Sequence, residues 1–329
     1  MRPRHFVTVV ALAGVSLVPV LLRAQAAATP AGTTAAKWTP LRTQWGDPDL
    51  QGIWNNSTTT PLERPSKLGA RQVLTDQEIA ERDEDAARSL AAAPRPGDPG
   101  SYNAFWFEQG KSLKQSSLIV DPADGRLPPR TAEAERARAA MVEYARAHPA
   151  DSWEDVNLGT RCLTRGAPKL PSAYNNNFLI LQAPGYVTIL QEMVHEVRVI
   201  PLDGRPHLSQ RVRQWMGDSR GHWEGDTLVV DTTNFNEKVV NNSYNCCPGG
   251  GANLHIVERF RRVAADSVDF QYTVDDPTTW TRLWTASVPM TKSQGPMYEY
   301  ACHEGNYGMS GILSGARTQE KASATKGFQ

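Results

Sequence analysis

The stretch Asp218-Ser-Arg-Gly-His-Trp-Glu-Gly-Asp-Thr-Leu-Val-Val-Asp-Thr-Thr-Asn-Phe235 decides the fold class. Residues 227–233 are rich in Val and Thr, whose branched side chains suit a pleated strand better than a helix. Ahead of them, Gly221 and Gly225 supply permissive backbone, and Asp226 can bond its own turn. Trp223 is the large apolar group that would anchor such a hairpin in a core. Runs of similar length lie on either side. Residues 177–182 and 186–192 flank Ala183-Pro-Gly185, and 254–263 and 267–274 flank Ala264-Ala-Asp266, so each pair reads as a hairpin. Residues 194–202, 280–290 and 296–303 add further strands, with 207–216 as a short helical or irregular crossover. About eight strands result, the number that closes a small barrel around one ligand. The expected fold is mainly β, an antiparallel barrel or strongly curved sheet.

The N-terminal half carries helical signals instead. Thr75 followed by Glu78 forms a capping box, and a helix over 75–92 ends at the Pro- and Gly-rich run Ala93-Pro-Arg-Pro-Gly-Asp-Pro-Gly100. Thr131 caps a second helix, 131–147. Glu133 and Glu135 in its first turn and arginines later match the helix dipole. These segments would pack on the outside of the sheet or cap one end. Residues 45–310 then form a single β-rich domain, and 311–329 read as a polar, mobile tail.

The first residues set the compartment. Arg2 and Arg4 precede an uncharged apolar run over 6–22, and Ala24 and Ala26 offer a small-x-small cleavage site. Residues 1–26 are therefore read as a signal peptide and 27–44 as a linker, giving a periplasmic or secreted protein with no stable membrane insertion after cleavage. The 35 Lys and Arg balance 35 Asp and Glu, so no global field draws in nucleic acid. Cys162, Cys246, Cys247 and Cys302 make an even set suited to an oxidising compartment. Adjacent Cys246 and Cys247 rarely bond each other, so Cys162 with Cys302 is the preferred bridge. No CxxC pattern occurs, and no pair among His195, His207, His222, His255 and His303 has ligand spacing. Neither a metal nor a cofactor is expected.

Three groups of residues carry chemistry. If 186–200 is one continuous run, Val187, Ile189, Met193, His195, Val197 and Val199 share a face, and Glu192, Glu196 and Arg198 share the other. His195 then sits on an apolar face, as a hydrogen-bonded core histidine or as a catalytic one, and any bulge would exchange the faces beyond it. Tyr298-Glu-Tyr-Ala-Cys-His-Glu-Gly-Asn306 is the densest polar group, and its His303 and Glu304 suit general acid–base work near neutral pH. The third group is Arg161, Arg165 and Tyr174-Asn-Asn-Asn177, whose amides suit a polyhydroxylated or carboxylated ligand or, equally, turns. A Cys162–Cys302 bridge would bring the last two groups together.

Four motifs together resemble a large family of exported bacterial proteins without an assigned reaction: Trp45-Gly-Asp-Pro-Asp-Leu-Gln-Gly-Ile-Trp54, Glu192-Met-Val-His-Glu-Val-Arg198, Gly217-Asp-Ser-Arg-Gly-His-Trp-Glu-Gly-Asp-Thr-Leu228 and residues 298–306. The resemblance implies no activity, cofactor or catalytic residue. Gly52-x-Trp54 and the strand count also resemble lipocalin-like barrels. The expected function is small-molecule processing by a hydrolase or lyase acting on a polar organic substrate such as a carbohydrate or aromatic acid. His303, Glu304 and His195 would be catalytic. Arg165, Asn175, Asn177, Glu192, Arg198 and Trp54 would hold the substrate. The alternative is a non-catalytic periplasmic carrier whose barrel is lined by Trp54, Trp223, Trp280 and Trp284. The oligomeric state is not legible.

Overall fold

Alternating burial along the strands builds the core. In residues 254–274 most alternate side chains are apolar or aromatic, and Ile256, Phe260, Val268, Phe270, Tyr272 and Val274 all point to one side and are buried, with Glu258 and Arg262 among them. The computed structural model of the chain describes residues 38–92, 104–108, 110–148, 150–241 and 251–326. The expected signal peptide, residues 1–26, and Cys246–Cys247 lie outside these residues. The elements are β1 (Gly52–Asn55), α1 (Asp76–Ala91), β2 (Ile119–Asp121), α2 (Ala132–Ala147), β3 (Asn177–Ala183), β4 (Tyr186–Gln191), β5 (Glu196–Pro201), β6 (Asp218–Glu224), β7 (Thr227–Thr233), β8 (His255–Ala264), β9 (Ser267–Asp275), β10 (Trp284–Ser287), β11 (Met290–Lys292) and α3 (Tyr307–Lys326).

The strands form a lipocalin-like, nearly closed sheet in the order β5-β4-β3-β1-β11-β9-β8-β7-β6, with β10 and β2 branching from β9. Every link along this path is antiparallel. Eight reversals separate β5 from β6, so these two run in the same direction where they meet. Side chains knit this seam. A Cβ on Gly221 of β6 would lie 2.7 Å from Leu202 and 2.9 Å from Ile200, so only glycine admits the approach.

The interior is filled by side chains. Trp54 and Trp284 are fully buried, and the Trp54 indole donates to Leu50 O at 2.8 Å. Within this apolar interior Arg198 of β5 meets Glu258 of β8 through two guanidinium–carboxylate bonds, one of them 2.9 Å long. Their side chains are 4 % and 1 % exposed.

Several expectations change. The run from β4 to β5 is not continuous: Met193–His195 form a tight turn in which Val194 (φ 63°) and His195 (φ 44°) are left-handed. The faces exchange there, so Arg198 and Ile200 turn inward while Val197 and Val199 become exposed, and His195 leaves the apolar face for solvent. Residues 296–303 are irregular and not a strand, because this polar segment is tied to the loop at Cys162 and joins no sheet edge. The barrel path has nine strands where about eight were expected. Residues 207–216 take the irregular of the two expected crossover forms. Trp223 is only partly buried, packing against the core from β6. Residues 311–326 belong to helix α3, and Ala316 packs on Ala150 and Val156 while Arg317 donates to Ala150 O and Asp151 O at 2.8 and 2.9 Å. A small residue on one face and an arginine reaching over it were the only signals for that docking.

Both expected helix starts are present. Thr75 Oγ1 accepts from Glu78 N while the Glu78 carboxylate accepts from Thr75 N, and Thr131 caps Ala134.

The seam gives a direct test. Gly221→Val drives two methyl groups into Ile200 and Leu202, and overpacking of this kind costs about 1–3 kcal/mol. Urea unfolding of the variant should show a midpoint lowered accordingly; an unchanged midpoint would mean that β5 and β6 do not approach as described.

Candidate functional site at one rim of the barrel

Antiparallel register lines up one rim. Asn55 faces Asn177, Phe178 faces Gln191, and Gln191 faces Glu196, so the ends of β1, β3, β4 and β5 share it. Polar side chains gather there because the strands end and their terminal backbone groups need partners.

On one side of the rim, the Glu108 carboxylate gathers the asparagines. It accepts from Asn175 N at 2.6 Å, Asn176 Nδ2 at 2.9 Å and Asn55 Nδ2 at 3.1 Å. Asn175 is left-handed at φ 55°, a conformation that Asn tolerates. Asn177 gives its amide N–H and its side chain to Glu192, at 3.2 and 2.9 Å. Of the residues expected to hold substrate, Asn177 and Glu192 thus bond each other and Asn175 is anchored through its backbone by Glu108. Beneath them Lys169 Nζ donates to Asn176 Oδ1 at 2.9 Å. The Lys169 ammonium is held down to about 7, chiefly by burial and in smaller part by Arg165, with Glu108 and Glu192 opposing the shift.

The other side is built by the Cys162–Cys302 disulfide, with Cα atoms 5.7 Å apart. This is the expected pairing. It ties the C-terminal segment to the loop before β3, and Asn306 Nδ2 adds a bond to Thr160 O at 2.9 Å. His195 Nδ1 then lies 2.9 Å from Tyr300 O, and the His195 and His303 rings are 6.5 Å apart. His303 and Glu304 are both exposed. Glu196, next to His195, accepts from Arg165 N at 2.9 Å. Burial raises its carboxyl to about 7, against the bonds from Thr164 and Arg165 that favour the charged form. Arg165, His195 and His303 therefore do converge. Arg198 and Trp54 do not: the first faces Glu258 inside the barrel and the second is core.

Sequence reasoning missed Lys169 and Glu196 as perturbed groups, and it missed a third cluster on the outer face. Asp231 of β7 bonds His207 Nε2 at 2.7 Å and His255 Nε2 at 2.8 Å, while His207 Nδ1 meets the buried Asp218 at 3.0 Å and Arg220 donates to Asp218 at 2.7 Å. Period two along β7 already turned Asp231 outward, but its neighbours depend on β7–β8 register and on the path of the 203–217 crossover. These groups point at one another and lock that crossover to the sheet. Compared with protein-family models and with curated proteins, the chain has no significant match.

The Asp231–His255 pair has a defined pH window. Its hydrogen bond with Asp231 raises His255, and the same bond helps hold Asp231 below its ordinary value although burial opposes this. A raised histidine stabilises below its ordinary value of 6.5 and loses this as pH climbs through the folded value; a lowered aspartate stabilises above 3.8 and loses this as pH falls. The difference in melting temperature between the native chain and Asp231→Asn should therefore be largest near pH ~5–6 and shrink toward pH ~8 and pH ~3. A difference independent of pH would contradict the pairing.

Proposed function

We propose that the chain is an exported small-molecule-processing enzyme of the hydrolase or lyase kind, working at the disulfide-bound rim on a polar organic substrate such as a carbohydrate or aromatic acid. The observation that carries this reading is the position of His303, 6.5 Å from His195 and on the same rim as Glu196, whose carboxyl is held near 7. A carboxyl held near neutrality on the same rim as an imidazole is a pairing suited to general acid–base work. In this reading Glu196 in its protonated form donates to a leaving group, His303 or His195 takes a proton from water or from the substrate carbon, and Arg165 orients an anionic group. Glu304 adds a carboxylate beside His303. The filled interior favours a ligand at the rim over one inside the barrel. Export is supported by the signal-like first residues and by the disulfide, which persists in oxidising compartments. Among the described residues, no helix is long and apolar enough to cross a membrane.

A thermal-shift screen against sugars and aromatic acids should identify one class that raises the melting temperature, and turnover is then followed on esters, glycosides or elimination substrates of that class. Glu196→Gln and His303→Ala should each lower turnover by about 10²–10⁴-fold with the melting temperature kept, and the native pH profile should bend near 7. Full turnover in both variants would remove the acid–base assignment.

A further inference from the structure

Beside α1 lies a cleft of about 630 Å3, a volume suited to a small organic molecule, bordered by Thr59, Asp83, Leu90, Phe107, Lys111 and the loop 171–173. Ser172 lines it and is exposed, whereas Lys169, one loop turn earlier, is 2 % exposed beneath the same loop. The Lys169 amine lies 3.2 Å from Ser172 Oγ, 2.9 Å from Asn176 Oδ1 and 3.5 Å from Leu170 O. In the resting chain Nζ donates to all three; Leu170 O and Asn176 Oδ1 can only accept, and the Ser172 hydroxyl is the one neighbour able to donate in return once the amine loses a proton. A neutral amine has just two N–H bonds and one lone pair, and its lone pair is left for Ser172. Asn176 orients the base and is itself fixed, by Glu108 at 2.9 Å and by Ser172 O at 2.8 Å through its Nδ2. Nucleophile, base and orienting group thus stand in the order that activated hydroxyls require.

We propose that Ser172 is a nucleophile and Lys169 its general base, a serine–lysine dyad that hydrolyses small-molecule esters bound in this cleft. Ser172 Oγ bonds to the ester carbonyl carbon as its proton passes to Lys169 Nζ. The carbon–oxygen bond to the alcohol then breaks, and the same proton leaves on that oxygen. Water attacks the acyl-serine, gives one proton to Nζ, and the acid departs as the proton returns to Oγ, leaving acid, alcohol and the starting dyad. In the resting chain the hydroxyl donates to Tyr174 O at 2.8 Å, so it rotates toward Nζ when an ester arrives. Burial, which brings the ammonium down to about 7, keeps a large share of Lys169 neutral at ordinary pH. The dyad lies on the asparagine side of the rim and uses neither Glu196 nor His303, so its labelling test is read independently of theirs.

A fluorophosphonate probe reads the nucleophile directly: the Oγ–P bond forms, the P–F bond breaks and fluoride leaves. The mature chain at pH 8 should gain one adduct by intact mass, mapped to Ser172 and missing from Ser172→Ala. Its labelling rate should climb with pH through about 7. Lys169→Met, checked by thermal melting, should label at least about a hundredfold more slowly; if it does not fold, the pH profile of the native chain decides. Absence of an adduct on the folded native chain, an adduct that survives in Ser172→Ala, or a rate flat in pH would overturn the dyad.

Discussion

The turn at Met193–His195 governs what the barrel encloses and what its rim presents. Val194 is β-branched and left-handed, a conformation that costs roughly 1–2 kcal/mol for such a residue. Burial offsets this cost: Met193 and Val194 are 2 % and 3 % exposed, sealed at the end of β4. The reversal turns β5 over. Arg198 enters the core and must find a carboxylate there, because an unpaired buried charge would be intolerable. Glu258, three strands further round from the seam on β8, meets it. One local irregularity thus demands a long-range ion pair, and that pair fixes β5 across the interior from β8.

The same turn sets the rim. Had β4 run straight into β5, His195 would lie among the aliphatic side chains. Instead its ring faces Tyr300 O, Glu196 follows it onto Arg165, and the disulfide delivers His303 opposite. Strained backbone beside exposed titratable groups is a recurring companion of functional sites, and here it coincides with the carboxyl that burial raises most clearly. The asparagine and glutamate bonds around Lys169 are of another kind. They rigidify the loop 171–176 and suit a preformed geometry, with Asn176 and Ser172 each held by a further partner.

Much of the fold was legible because it rests on period two and on turn chemistry. The 183–185 and 225–226 turns, the β8–β9 hairpin, both helix caps and the Cys162–Cys302 pairing follow from local patterns or from counting cysteines. What was not legible depends on register and on one pair of dihedral angles. Nothing in Glu192-Met-Val-His-Glu announces a left-handed valine, so the faces of Arg198, Val197 and Val199 read inverted. Lys169 shows no signal in sequence, since its burial comes from Asn176 and Glu108 folding over it, and Glu108 is 61 positions earlier. Asp231, His207 and His255 are each visible, yet only β7–β8 pairing and the 203–217 crossover bring them together. Residues 311–329 read as a polar tail, yet 307–326 form a helix whose contact with the body rests on Ala316, Arg317 and a few neighbours.

The exchange of faces is tested most directly by a double-mutant cycle on Arg198 and Glu258, followed by urea unfolding. If the pair is interior, Arg198→Met and Glu258→Leu should each cost about 3–5 kcal/mol by stranding a buried charge, while the double variant recovers most of that loss. Small, additive effects of the two substitutions would place both side chains on the surface and contradict the account.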